Sequence, residues 1–371
     1  MNDKICTIKN IDHSFNREML DILKKSPVES GGLRICFDKA PDVFLIPDIK
    51  AEHYKCAGFF INNQLVGFAM LVSFQAYVNG QPKTIMYFCN FYIKKKGRGR
   101  QFYFKAGNFF YQDTYKNSNI GFTLIMKGNK AAESYIGKRP DDYPYLPYSK
   151  PVAELVVKNI LITFPKKTTG QYNIRQATTA DIRTIVKILN DDFKHRLFAP
   201  VLSEESFKKN LVRKPGFEIE NYYLAENNEC IVGICSVWDT QPVRQNRIMK
   251  YSRKLKLIKL LYGICRPIFG FPPLPDEGSA IKDATIVEYW AENRDPVIMK
   301  ELLVRIYNDY REKHYNMIIF GSCSNDPLLK AAHSFLHVNI ISHIVLASRN
   351  KNDLEDGLID TSMPYVDVST M

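Results

Sequence analysis

The residues with the clearest chemical potential lie in the run NFYIKKKGRGRQFYFKAGNFF, from Asn90 to Phe110. Lys94, Lys95, Lys96, Arg98 and Arg100 crowd around two glycines, Gly97 and Gly99. Glycine carries no side chain, so backbone N–H groups of such a loop can converge on the oxygens of a polyanion. A helix opening directly behind it adds free N–H groups and the positive end of its dipole. This chemistry suits a pyrophosphate, with exposed cations supplying further attraction that salt screens. A solvated charged loop is the competing explanation of the same letters. Cations interleaved with aromatics also suit nucleic-acid contacts. However, the pairs Phe102, Phe109 and Tyr103, Phe110 recur at helical spacing, which favours core packing, so no nucleic-acid partner is expected.

The elements around the loop read as alternating strands and helices. The stretch CAGFFINNQLVGFAMLVSF turns at Asn62-Asn63, and AYVNGQPKTIMYFCNFYI turns at Asn79-Gly80, which together make an antiparallel meander. A helix to about Tyr115, a strand IGFTLIM, a short helix NKAAESYI and a strand AELVVKNILITF follow. Pro165 to Gly170 reads as a linker. Beyond it the order begins again with YNIRQATTADIRTIVKILNDDF, where Thr179 is the expected N-cap, and with a hairpin turning at Asn227-Asn228. A long helix after Asp295-Pro296, a strand YNMIIFGSC and a helix DPLLKAAHSFLH complete the repeat. With 371 residues, two domains of roughly 100 to 200 residues each are expected, 1–165 and 171–371. The first carries 23 Lys+Arg against 14 Asp+Glu and the remainder 28 against 25, so the anion partner belongs to the first half.

A meander, a strand, a basic residue three positions before Gly-x-Gly, a helix, a strand and a short helix beginning at asparagine are together similar to the GNAT superfamily of acyl-CoA N-acyltransferases. The signature falls on Lys94, Gly97 and Gly99, and the later Asn-x-x-Ala motif on Asn129 and Ala132. The second half resembles the same fold. The resemblance implies a mixed α/β architecture of mostly antiparallel sheets flanked by helices, in two tandem GNAT-like copies. It further implies acetyl-CoA or another acyl-CoA as co-substrate, its pantetheine along Phe91, Tyr92 and Ile93 and its pyrophosphate on residues 94–100. The acceptor would be a small-molecule or peptide amine. In the family the leaving thiolate is usually protonated by a tyrosine of the short helix, for which Tyr135 is the candidate, and a packed tyrosine is the alternative. No carboxylate lies on Ile85 to Ile93, which leaves water or a residue such as Glu133 to take the proton. In the second half the matching loop AENRDPVIMK has no glycine and presents the Asp295 cap and Pro296 instead, so acyl-CoA is not expected there. A non-catalytic protein that binds CoA or a partner through this fold is the alternative from another class.

Other features weigh less. Eight cysteines are scattered without a CxxC pair, which argues against disulfides and zinc. His333 and His337 are four apart but have no third ligand in view. Glu288 and Glu292 alternate about Trp290 and read as a solvated strand face or as contacts to an acceptor amine. Residues 244–275 form a basic amphipathic insertion that could lie on an anionic membrane, cover a lipid-like substrate or pack as a lid on the domain's own cleft. The N-terminal residues show neither a secretory signal nor a membrane span, from which a cytoplasmic location is expected.

Overall fold

The computed structural model describes residues 6–30, 32–99, 102–114, 119–137, 143, 145–355 and 357–371, so Arg100 and the expected helix end at Tyr115 lie outside the described residues. In chain order, β1 (Cys6–Asn10) precedes α1 (Asn16–Lys24), β2 (Val28–Ser30), β3 (Leu33–Asp38) and α2 (Leu45–Lys50). The meander β4 (His53–Ile61), β5 (Gln64–Val78) and β6 (Gln81–Ile93) leads to α3 (Phe102–Thr114), β7 (Ile120–Met126), α4 (Lys130–Glu133) and β8 (Tyr148–Leu161). After the linker come β9 (Asn173–Gln176), α5 (Ile182–Phe193), α6 (Glu204–Arg213), β10 (Tyr222–Asn227), β11 (Cys230–Trp238), β12 (Gln245–Tyr251) and α7 (Arg253–Phe269). The chain closes with β13 (Asp283–Ala291), α8 (Pro296–Glu312), β14 (Met317–Cys323) and β15 (His337–Ser348).

Turn chemistry explains the meander. Asn62 and Asn63 both hold positive φ, as do Asn79 and Gly80, the conformations that a tight antiparallel turn requires. In the second half the positive φ angles fall on Asn228 and Glu229, one residue later than the letters predict. The cap before α5 is Thr178 rather than Thr179, because Thr178 and Asp181 close a reciprocal capping box. Residues Pro327–Ser334 form a 3-10 helix where an α-helix was expected.

Twelve strands form one continuous sheet in the order β1-β4-β5-β6-β7-β15-β8-β14-β13-β11-β10-β9. Read outward from the centre, each side repeats the other, but the central strands are exchanged. β8, the last strand of residues 1–165, pairs with β14 of the second half, and β15 pairs with β7 of the first. β8 and β15 then pair with each other, so the linker does not divide the sheet. On the first half of the sheet, α3 packs Phe102, Ala106 and Phe110 against Phe59, Val66 and Ala69. The opposite face takes Met19, Ile22 and Leu23 of α1 against Phe60, Phe68 and Met70. In the second half, Ile298, Leu302, Ile306 and Tyr310 of α8 share a core with Ile185 and Leu189 of α5. A separate small sheet, β12-β3-β2, ties the segment after residue 244 back to the first half.

Candidate active site

The site is built where two parallel strands part. β6 and β7 pair only through Met86–Phe88 and Gly121–Thr123, and beyond that β6 runs on with β5 alone. Its edge from Cys89 to Ile93 is therefore open toward β7. At the same place Asn90 and Phe91 stand opposite the single residue Ala69, a β-bulge that takes backbone out of the ladder. Asn90 holds φ of 55°, a left-handed conformation that asparagine tolerates better than most residues. Its side-chain oxygen accepts a 2.6 Å hydrogen bond from Lys39 Nζ, and its amide approaches Met70 Sδ at 3.3 Å. Burial pushes the Lys39 ammonium down to about 8. Lys39 Nζ also lies 3.5 Å from the main-chain oxygen of Met371, which brings the end of β6 and residue 371 together.

The loop after β6 divides its residues between structure and solvent. Lys95–Gly97 form a 3-10 turn in which the Gly97 N–H donates to Lys94 O at 2.8 Å and the Arg98 N–H to Lys95 O at 3.2 Å. Those two N–H groups are thereby used inside the loop. Gly97 is buried, and a Cβ there would stand 2.8 Å from Ile93 Cγ1, so close packing accounts for this glycine. Gly99 differs: its φ is 74°, and a Cβ would meet nothing within 4 Å among the described residues. Lys94 pairs with Asp21 at 3.2 Å and Lys96 donates to Gln64 Oε1 at 2.9 Å, whereas Lys95 and Arg98 have no ion-pair partner among the described residues. The hydrogen bond from Lys25, with Lys94 assisting, lowers the Asp21 carboxyl below its ordinary value. Lys95 and Arg98 neighbour Gly99 in the chain, and α3, whose first N–H groups lack intrahelical acceptors, opens at Phe102.

Across the opening, α3 faces the turn that follows α4 through aromatic rings, and Tyr135, expected in the short helix, lies in that turn because α4 ends at Glu133. Tyr103 of α3 stacks on Tyr135 with centroids 4.5 Å apart, and Tyr103 in turn meets Phe88 and Phe91 edge-on at 6.4 and 6.1 Å. Tyr92 packs on Phe68, on the opposite face from Phe91. Asn129 is the N-cap of α4, its side chain accepting from the Ala132 N–H at 3.3 Å. Glu133 accepts from the Gly128 N–H at 2.7 Å and lies 3.6 Å from His343 Nε2 on β15. Sequence reasoning missed His343 and Lys39. Each is a lone polar residue whose only signal is a contact with a distant part of the chain.

The second half repeats this geometry and then fills it. β13 and β14 pair in parallel only through Asp283–Thr285 and Met317–Ile319, and Val287 and Glu288 bulge opposite Ser236. Glu288 is buried, accepting from Tyr222 Oη at 2.5 Å and from Ser236 Oγ at 3.3 Å, so this carboxylate is not on a solvated face. Where the first half has its glycine loop, Arg294 binds Asp192 at 2.6 Å and Asp326 at 2.7 Å. Arg196, 1% exposed, lies over the rings of Tyr289 and Tyr365 and 3.5 Å from Asp326. Burial alone would raise the Asp326 carboxyl, but the Arg294 hydrogen bond and the Arg196 charge hold it below its ordinary value. Asp295 caps α8 through the Val297 N–H at 2.8 Å, with Pro296 in the first turn. His337 contacts Lys158 Nζ at 3.0 Å, and among the described residues no His, Cys, Asp and Glu cluster is arranged to hold a metal.

The overall fold is matched in solved structures. Saccharomyces cerevisiae N-myristoyltransferase with bound myristoyl-CoA is similar over 94% of this chain and 85% of its own, with TM-score 0.57 and 13% identity. A GCN5-related N-acetyltransferase from Sphaerobacter thermophilus is similar over 85% of this chain and 83% of its own, with TM-score 0.51 and 11% identity. The one from Anabaena variabilis covers 93% and 73%, at TM-score 0.50 and 10% identity. The chain has the GNAT fold. No protein-family model matches the sequence, and no curated protein matches it either. The GNAT fold spans nearly the whole chain.

Proposed function

We propose that the protein is an acyl-CoA-dependent N-acyltransferase whose first cleft, between β6 and β7, takes the acyl donor. The observation that carries this reading is the contrast between two equivalent clefts. One offers an open strand edge, Gly99 with no described residue in front of it and two cations, Lys95 and Arg98, without an ion-pair partner among the described residues. The other is occupied by the Arg294, Asp192 and Asp326 network. The solved neighbours are N-acyltransferases by name, and one holds myristoyl-CoA, which supports an acyl-CoA thioester as the donor.

A bound acyl-CoA supplies the acyl group as an activated thioester. Backbone from Phe91 to Ile93 would hold the pantetheine, and Lys95, Arg98, Gly99 and the start of α3 the pyrophosphate. The Asn90 bulge would present backbone to the reacting carbonyl, with Lys39 fixing its orientation. The amine nitrogen bonds to that carbonyl as the carbon–sulfur bond breaks. Tyr135 Oη gives its proton to the departing thiolate and regains one from solvent as the amine loses its own. We assign a small-molecule or peptide amine as acceptor and acetyl-CoA as the first donor to try. A non-catalytic CoA-binding role is favoured by one observation: Asn129 is used as a helix cap and Tyr135 is stacked on Tyr103.

The test is calorimetry followed by thiol release. Acetyl-CoA and myristoyl-CoA are titrated into the full chain, and free CoA is measured with a panel of amines and peptides. One CoA per chain with amine-dependent thiol release supports the enzyme. Binding without release from any acceptor supports the non-catalytic role, and a stoichiometry near two overturns the assignment of a single donor cleft.

A further inference from the structure

α7 is the one long helix among the described residues whose apolar face is turned away from the protein. It opens on a Ser252 cap and ends at Gly270, which holds φ of 64°. Its inner side rests on the chain that returns beneath it: Tyr262 Oη donates to Pro272 O at 3.0 Å, and Lys259 Nζ bonds Pro275 O at 2.7 Å and Asp276 at 2.6 Å. Leu255, Lys259 and Tyr262 are half-buried there. On the other side Leu257, Leu260, Leu261, Ile264 and Ile268 recur at helical spacing and are 55–74% exposed. By contrast, α8 buries nine of its side chains. An apolar stripe of this size left in water marks a surface meant to be covered.

The charges around the stripe identify the cover. The helix contains Arg253, Lys254, Lys256, Lys259 and Arg266 and no acidic residue. Lys256 and Lys259 are answered by Glu277 and Asp276 of the returning chain at 3.1 and 2.6 Å. Arg253, Lys254 and Arg266 are exposed and have no ion-pair partner among the described residues. At the C-terminal end Phe164, Phe269 and Phe271 form an aromatic cluster with centroids 4.8–5.5 Å apart, Phe164 and Phe269 being exposed. Aliphatic side chains flanked by free cations, with aromatics at one end, match the layers of an anionic bilayer surface: hydrocarbon, phosphate and the boundary between them. A second copy of the same face would bring like charges together with no carboxylate on the helix to answer them. No helix among the described residues is long and apolar enough to cross a membrane, so the geometry is that of a helix lying in the interface.

We propose that α7 docks the protein on anionic lipid surfaces, with Leu257, Leu260, Leu261, Ile264 and Ile268 in the acyl boundary and Arg253, Lys254 and Arg266 at lipid phosphates. This docking is independent of the acyl-transfer reading. The test is cosedimentation of the full chain with vesicles of phosphatidylcholine alone and of phosphatidylcholine mixed with phosphatidylserine, at low and high salt. Wild type binds the mixed vesicles and releases with salt. Leu261→Asp/Ile264→Asp abolishes binding, and Arg253→Glu/Lys254→Glu weakens it by at least about tenfold, both with unchanged circular dichroism. Failure of wild type to bind the mixed vesicles overturns the proposal, as does binding that both variants retain. So does a dimer, seen by light scattering, that Leu261→Asp/Ile264→Asp dissociates, because the face would then belong to a second copy.

Discussion

At the scale of single residues, Gly97 and Gly99 look alike in the letters and differ in the fold. Gly97 is a packing glycine, and Gly99 is the one with space in front of it. Gly99→Asp places a negative charge where phosphate oxygens would approach, and Gly99→Ala adds only the strain of a side chain at positive φ, about 1 kcal/mol. CoA affinity by calorimetry is expected to fall at least about tenfold for the aspartate and much less for the alanine. Equal affinities for wild type and Gly99→Asp would remove the loop from the site. Tyr135→Phe keeps the ring stacked on Tyr103 and deletes the hydroxyl. If that hydroxyl protonates the thiolate, turnover drops on the order of 10² to 10⁴-fold while CoA affinity holds. Turnover equal to wild type assigns Tyr135 to packing.

At the scale of elements, both clefts arise in the same way. A three-residue parallel pairing ends, a bulge bends the inner strand, and an edge is left free. The second of these junctions carries a pH signature at Asp283, which begins β13 and is fully buried. Burial pushes its carboxyl up from 3.8 to about 6, against the lowering effects of the Asn246 hydrogen bond and the Arg244 charge. A carboxyl raised in the folded state binds protons more tightly there than in the unfolded chain. Its contribution is therefore full below about pH 4 and is lost as the pH rises through about 6. The loss is on the order of 2 to 3 kcal/mol. Urea unfolding is expected to show this decline in the wild type and a flatter profile in Asp283→Asn, which keeps the shape and cannot ionise. Parallel profiles for the two proteins would show that another group sets the slope.

At the scale of the whole molecule, the exchange of β8 and β15 makes each half depend on the other. Residues 1–165 alone would leave β7 without the strand that pairs along its length and β8 with neither neighbour. Exposed edges of that kind invite aggregation. A fragment of residues 1–165 is expected to be unfolded or insoluble by circular dichroism and sedimentation. It should be rescued by coexpression with residues 171–371, while the full chain unfolds in one transition. A fragment that is soluble, with a cooperative transition of its own, would show that the exchanged strands are dispensable.

Much of this molecule was readable from local letters because the forces involved act locally. Two-residue turns demand positive φ, which Asn62-Asn63 and Asn79-Gly80 supply. A capped helix start demands a short acceptor side chain and tolerates proline, which Asp295-Pro296 supplies. The basic glycine loop was visible for the same reason, as was the absence of one in the second half. What the letters could not carry is which groups are already used. The Gly97 and Arg98 N–H groups, the Lys39 bond to Asn90, the Glu133 approach to His343 and the ion network about Arg294 each depend on partners chosen by folding. The exchange of the central strands also had no local signature, since β8 and β15 would read the same whichever half they joined. The helical period of α7 was likewise plain, but Ile258, which helical spacing sets on one face with Leu255 and Tyr262, is exposed while those two are half-buried. An amphipathic pattern states that one face must be covered, and only the surrounding chain decides whether the cover is the protein itself.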